Sequence, residues 1–465
     1  MEKRTLALIA GLGLVAAACV DSTSVTDLNN VSAESLSGGL TPASTQLLVT
    51  GMLNSQRTDL DSRYVVFTET MARDIYRLDN AESRFITELI GGPADYSAFT
   101  GGGVFTQFYV TIRAANTIIN ALPNASGLTA SQVAATRGLA NTFKALSYYR
   151  ALETRDSLGI AIDVNHPIDD PPAGFVCKPN VLAYISALLD SAQTDLQAGG
   201  AAFPFTLPAG FTSNGSYDTP ATFNAFFNRG LKGKVELYRA LDHTKPNAAS
   251  LATALTALNT ALGGAGNPAN TTNGIYNTYS TASGEVVNPL ADANVYLNQA
   301  VGDSIQAGDL RASKITVLSA PKSLNGVTTN YKTPLTDPTA LTRPIPVLKT
   351  AELVLLRAQV KIEQGNLIGA AADINFVRTT DGGLAGIAVP ATKAAAISAV
   401  LYEKRYSLLA ESAQRLVDLR AYSRFNSTFL KPEGPAGRDT FQSALPIPKS
   451  QLDARNVTSI TPACP

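Results

Sequence analysis

The sequence predicts a mostly α fold: a scaffold of tetratricopeptide-like helical hairpins interrupted by one long irregular, loop-rich insert. Apolar residues recur three or four apart in most of the longer segments, as one buried helical face requires. Those segments open at Thr or Pro and close at Gly, the residues that start and stop helices. From Gly263 to about Pro346 the rhythm disappears and Thr, Asn, Gly and Pro take its place.

Residues 44–57 read as the first helix. Gly101 to Asn120 carries Phe105, Phe108, Ile112, Ala115 and Ile119 on one side, and Ala130 to about Leu158 carries Val133, Ala140, Phe143, Leu146 and Tyr149, stopped by Gly159. Their lengths and separation suit an antiparallel pair. After a proline-rich break at Asn165–Gly174, Pro179 opens a helix with the stripe Leu182, Ile185, Leu189, Ala192 and Leu196, ended by Gly199-Gly200. Thr219 and Pro220 supply an N-cap and first residue for a helix to about Leu241 through Phe223, Phe227, Leu231, Val235 and Tyr238. Ala248 to Leu262 is its partner. The insert follows, with tyrosines at 276, 279, 296 and 331; long irregular segments on a rigid scaffold are where binding surfaces concentrate. Helices resume with Thr350 as N-cap and Leu353, Leu356 and Val360 inside, stopped by Gly365. A second runs from about Leu367 through Ala371, Ile374 and Val377. A third spans Thr392 to about Arg424, with Ile397, Val400, Leu401, Tyr406 and Leu409 on its apolar side. No strict 34-residue period is present, so the hairpins are degenerate repeats.

The front of the chain is of another kind. Met1-Glu2-Lys3-Arg4 is followed by an uncharged run from Thr5 to Val20 that contains Ala16-Ala17-Ala18-Cys19. That is the layout of a signal peptide, shorter than the roughly 20 apolar residues a spanning helix needs. A cysteine directly after small residues is where a bacterial lipoprotein takes its lipid, so residues 1–18 read as signal and Cys19 as the acylated residue. The alternative is an ordinary secretory signal; Ala16 stands where lipoboxes usually have Leu. Residues 19–42, rich in Ser, Thr, Asn and Asp, read as a tether holding a single body, 43–465, off the membrane. With Cys19 acylated, the other two of three cysteines, Cys177 and Cys464, form an even pair that a disulfide could join.

The chain is 45% hydrophobic and 16% charged, with a formal net charge of zero. Removing residues 1–18 takes away Lys3, Arg4 and Glu2 and leaves 35 basic against 36 acidic side chains, a net of minus one. Nothing there neutralises phosphates, which argues against nucleic acid as a partner. No phosphate loop or G-x-S-x-G elbow occurs. His166 and His243 lack the spacing of a metal site, so neither catalysis nor a cofactor nor a metal is expected. A glycosidase pair of carboxylates would meet only in the fold.

The C-terminal third carries a resemblance. Ala351 to Arg378, AELVLLRAQVKIEQGNLIGAAADINFVR, then Leu401 to Arg420, LYEKRYSLLAESAQRLVDLR, then Leu445-Pro446-Ile447-Pro448, closely resemble the signature region of SusD/RagB-type nutrient-uptake lipoproteins. The likeness is an ordered series: Glu352-Leu353, the Gly365-Asn366 turn, Asn375 to Arg378, Glu403 with Arg405, Glu411, Arg415, and Asp418-Leu419-Arg420. Arg229 to Asp242, RGLKGKVELYRALD, and Ile112 to Asn116, IRAAN, look similar to that family as well. The resemblance implies a lipid-anchored protein on the outer face of an outer membrane, over a TonB-dependent (SusC-like) transporter. It would capture an oligosaccharide or peptide there and deliver it into the channel. A surface helical-repeat adaptor that binds another protein and no nutrient uses the same scaffold.

Glu403, Arg405, Glu411, Arg415, Asp418 and Arg420 read as structural, Glu411 and Arg415 being four apart on one helical face. Ligand contact is expected from aromatic residues in irregular stretches, where a sugar ring can stack and its hydroxyls can meet polar groups. The candidates are Tyr64, Tyr76, Tyr96 and Phe99 with Arg73 and Asp74 beside them, and Tyr276, Tyr279 and Tyr296 in the insert. The chain has no tryptophan, which weighs against a strong polysaccharide platform and leaves a peptide ligand open.

Overall fold

A computed structural model describes residues 39–462 apart from 59–61, 168, 243–244 and 436–437. Cys19, the expected signal at 1–18 and Cys464 lie outside the described residues.

The predicted helices form and pack in sequence as hairpins. They are α1 (Pro42–Thr58), α2 (Ser62–Met71), a single turn α3 (Arg84–Thr87), α4 (Thr106–Ala121), α5 (Ala130–Arg155) and α6 (Lys178–Gln197). Next, α7 (Pro220–Phe223) runs through a π turn at Asn224–Asn228 into α8 (Arg229–Leu241), followed by α9 (Ala248–Ala261). A five-residue α10 (Gln299–Asp303) precedes α11 (Thr350–Glu363), α12 (Leu367–Thr380), α13 (Lys393–Ser407), α14 (Gln414–Ala421) and α15 (Lys449–Asp453). Packing runs α4 on α5, α5 on α6, α6 on α8, α8 on α9, α9 on α11, and α11 on both α12 and α13, so each helix meets its chain neighbour as in helical repeats. Thr219 closes a capping box with Thr222, and Thr392 caps α13 by accepting from Ala395 N. At the start of α11 the N-cap is Lys349, one residue before the Thr350 expected. Gly365, at φ +78°, turns the chain between α11 and α12 in a conformation L residues rarely adopt.

Two elements differ from the sequence reading. Helix α2 has no amphipathic stripe because Tyr64 to Met71 are all buried, so its periodicity is silent. The single helix expected from Thr392 to Arg424 is broken between Ser407 and Gln414, with Ala410 at φ +61° and Leu408, Leu409 and Ala410 buried in the break. The break undoes the expected Glu411–Arg415 pair: Glu411 takes Lys349, and Arg415 takes Asp74 at 3.0 Å.

The insert is less irregular than expected. It contributes β4 (Gly274–Asn277), β5 (Val295–Leu297), β6 (Thr316–Leu324), β7 (Val327–Lys332) and the start of β8 (Ile345–Lys349). With β1 (Ile75–Arg77), β2 (Ile160–Ala161) and β3 (Phe175–Val176) these make four two-stranded antiparallel ladders, β1–β5, β2–β3, β4–β8 and β6–β7. Six of these eight strands have two to five residues, too short to show alternation, and the nine-residue β6 is exposed or half-buried throughout, so neither kind shows an apolar period. The β4–β8 ladder pairs Ile275 with Leu348 and Asn277 with Ile345 around a bulge at Ile275/Tyr276, and β8 leads directly into α11. The insert is thereby bolted to the helical scaffold.

Ion pairs inside the body use up the charged residues of the C-terminal motif. Lys404 meets Asp418 at 2.6 Å, and Asp418 also accepts from Tyr238 Oη and Gln359 Nε2, both at 2.8 Å. Arg378 and Arg311 share Glu403, Arg357 meets Asp373 at 2.7 Å, Glu352 pairs with Lys234 at 3.2 Å, and Arg420 donates to Glu153 O at 2.5 Å. Asn375 ties the loop after α12 by exchanging hydrogen bonds with Ile387 N and O.

Candidate functional site

Helix α1 builds one wall of a polar-lined cleft. Val49, Met52, Leu53 and Gln56 fall at i, i+3, i+4 and i+7, the spacing of one buried face, yet the last of them is a glutamine. The adjoining stripe, Thr50, Asn54 and Arg57, forms the rim. The opposite wall is Tyr276 and Asn277 of β4 with the segment that follows, Thr278 to Glu285, and Pro208 and Phe211 close one end. Gly210 lets this loop lie on β4, since a Cβ there would sit 1.8 Å from Tyr276 O. The cleft measures about 510 Å³.

Its polar groups are unevenly satisfied. Arg57 Nη1 donates to Thr278 O at 2.9 Å and to Glu285 Oε2 at 3.2 Å, and Nη2 donates to Asn54. Tyr276 Oη is tied back to Thr272 O at 2.6 Å, which fixes its half-buried ring. Four other atoms along the walls are buried and have no hydrogen-bond partner among the described residues: Gln56 Nε2, Arg57 Nε, Asn277 Nδ2 and Tyr279 Oη. Three of the residues concerned are themselves buried, with exposures of 2% for Gln56 and 7% each for Asn277 and Tyr279, and Arg57 is half-buried. Asn277 lies beside the Tyr279 hydroxyl, but the two amide and hydroxyl atoms lack hydrogen-bond geometry. Burial pushes the phenols of Tyr276 and Tyr279 well up, so both stay protonated donors. An unpaired buried polar group costs about 1–3 kcal/mol, and four beside one cleft form a concentrated reserve that a bound acceptor can recover once the side chains turn toward it.

The body as a whole is similar to solved structures. A SusD homolog from Bacteroides thetaiotaomicron VPI-5482 aligns with a TM-score of 0.69 at 14% identity, over 93% of this chain and 99% of that one. The chain is SusD-like in fold. A SusD superfamily protein from Bacteroides vulgatus ATCC 8482 aligns with a TM-score of 0.68 at 14% identity, over 91% and 99%. NanU of B. fragilis gives 0.63 at 14% identity, over 91% and 97%. No family model and no curated protein matches the sequence.

Within this SusD-like body the nine candidate contacts part company. Tyr276 and Tyr279 share the cleft. Tyr96, 52% exposed, borders a shallow hollow of about 530 Å³ with Lys449, Leu452 and Asn456. Phe99 lines another of about 440 Å³, where the guanidinium of Arg84 lies 4.3 Å from its ring and that of Arg77 lies 4.7 Å from Phe85. Tyr64, Arg73, Asp74 and Tyr76 are buried away from the cleft, and Tyr296 is half-buried. Tyr64 is fully buried and donates to Glu153 at 2.5 Å; Tyr76 is buried in β1 and accepts from Asn298. Arg73 is paired with Asp439 at 2.5 Å, and Asp74 holds Arg405 and Arg415 at 2.8 and 3.0 Å. Tyr296 faces Tyr76 across the β1–β5 ladder, under Lys332 at 5.4 Å. The sequence reading passed over Gln56, Arg57, Asn277 and Glu285. The one legible signal was Gln56, an amide in line with Val49, Met52 and Leu53 on the buried helical face.

Proposed function

We propose that this chain is a surface nutrient-binding lipoprotein that captures an oligosaccharide or peptide in the α1–β4 cleft without altering it and passes it to a TonB-dependent outer-membrane transporter. The observation that carries the reading is the set of four unpaired buried polar groups around one cleft: buried polar groups are ordinarily partnered, and a guest in the cleft would complete these four. The SusD-like fold over some nine-tenths of the chain supports a role in nutrient binding. Glu285 is the one carboxylate among the described residues lining the cleft, whereas glycoside hydrolysis uses two, which favours binding over turnover. Lipid on Cys19 would hold the body at the membrane through its tether.

The test is isolation of the native protein from outer membranes in mild detergent, with identification of co-purifying chains and retained small molecules. A barrel transporter and a nutrient are expected. A chain that elutes alone and ignores every glycan and peptide offered overturns the reading. Cys19→Ala is expected to shift the protein from the membrane to the soluble fraction; unchanged attachment refutes the lipid.

A further inference from the structure

The polarity of the cleft is one-sided, and from this we infer that its ligand is an acidic oligosaccharide whose sugar carboxylate takes the place now held by Glu285. The inference rests on the reading of this cleft as the ligand site. Several acceptors along the walls are already engaged. Thr278 O and Asn54 Oδ1 accept from Arg57, Thr50 Oγ1 accepts from Gln46 at 3.0 Å, and Ser280 Oγ accepts from Ala282 N at 3.1 Å. The unengaged groups are donors: two amide nitrogens, a guanidinium nitrogen and a phenol. Two of them, Arg57 Nε and Tyr279 Oη, can donate whichever way the Gln56 and Asn277 amides are turned. Four donors facing few free acceptors call for a guest that brings acceptors without donors. A carboxylate offers about four lone-pair sites and no proton, whereas each neutral hydroxyl brings a donor that needs its own partner.

Arg57 supplies the charge. Its Nη1 reaches Glu285 at 3.2 Å while Nε, on the same guanidinium, is unpaired, so the planar fork is only partly used. The Glu285 side chain is 46% exposed and stands in the turn closed by Ser280 N to Val286 O at 3.0 Å. An ion pair that open to solvent is weak and easily exchanged. Glu285 is therefore a resident stand-in, holding Arg57 in position until a ligand carboxylate with better geometry replaces it. The fixed ring of Tyr276 and the buried Phe211 beside it give the apolar wall on which a sugar ring rests, which favours a uronic-acid glycan over an acidic peptide.

The experiment is calorimetric titration of the full chain with trimers of galacturonate and of glucuronate, each as free acid and as methyl ester, alongside a neutral trisaccharide and an acidic tripeptide. One acid trimer is expected to bind about tenfold or more tighter than its ester, with affinity falling as salt rises. Arg57→Gln should abolish the preference. Glu285→Gln, at an exposed position that folding tolerates, should tighten the acid by about two- to fivefold because the competing carboxylate is gone. Equal binding of acid and ester, or an acid affinity that Glu285→Gln lowers, overturns the inference. If neutral sugars bind and Arg57→Gln or Tyr279→Ala weakens them, the inference fails while the cleft remains the ligand site. A preference for the acidic tripeptide rejects the sugar. Acid binding indifferent to both Arg57→Gln and Tyr279→Ala rejects the cleft itself.

Discussion

At the scale of single residues the molecule separates charges that hold it together from groups that are free to receive something. Asp418 belongs to the first kind. Buried, it gathers the Lys404 ammonium, the Tyr238 hydroxyl and the Gln359 amide. Replacing it by Ala strands a buried ammonium whose ionisation burial already lowers, and breaking a buried pair on one side costs about 3–5 kcal/mol. Urea denaturation of Asp418→Ala should show a loss of that size with ligand affinity kept where the protein still folds; a neutral result would refute the structural role of the motif. Glu433 offers a pH test. Burial raises its pKa to about 7, with the Asp439 charge adding to the rise and Arg73 opposing it. A carboxyl raised in the folded state stabilises below its unfolded pKa, and that contribution is lost as pH climbs through the folded value. The gap in Tm between Glu433→Gln and the natural chain should therefore widen in the variant's favour from about pH 5 to about pH 8. A constant gap across that window would place Glu433 in solvent.

At the scale of elements, the cleft depends on a loop that has no side chain to spare. Gly210 lies on the backbone of β4 closely enough that a Cβ would collide with Tyr276 O. Gly210→Ala must lift the Pro208–Phe211 turn off the strand, costing about 1–3 kcal/mol as overpacking does and opening the end of the cleft. Unchanged stability and affinity in that variant would show the turn to be free of β4. How much of this was readable follows from periodicity. Helices α1, α4, α6, α9 and α12 announced themselves because each buries one stripe and exposes the other, whereas α5, α8 and α11, buried nearly all round, were legible from apolar spacing and from their start and stop residues. Helix α2, only ten residues long and buried from Tyr64 to Met71, was not legible, nor were the strands, most of them too brief for alternation. The break after Ser407 was hidden because its residues, Leu408 to Ala410, are apolar and helix-forming; tertiary burial overrides their local preference. Tyr276 and Tyr279 were found because aromatics in an irregular insert stand out. Their partners from α1, some 220 positions earlier, are joined to them only by the fold.

At the scale of the whole molecule, the question is how the two ends of the sequence are tied to the body. For the front end the proposal is a lipid on Cys19. For the other, Pro462 supplies a clue: an added Cβ on Gly159 would lie 3.2 Å from Pro462 Cγ and 2.1 Å from Val176 O, which places Pro462 beside the β2–β3 ladder, next in sequence to buried Cys177. Cys464 is two residues further along the chain, so the pairing expected from cysteine count has a described segment leading toward it. A bridge between positions 177 and 464, 287 residues apart, would restrain the unfolded chain by about 5–6 kcal/mol on the loop-entropy estimate. Export to an oxidising compartment would let it form. Digestion of the exported protein without reductant should give one linked peptide pair containing both cysteines, and reductant should lower its Tm. Quantitative alkylation of Cys177 in the unfolded, unreduced chain would show the thiol free and leave this end held by packing alone.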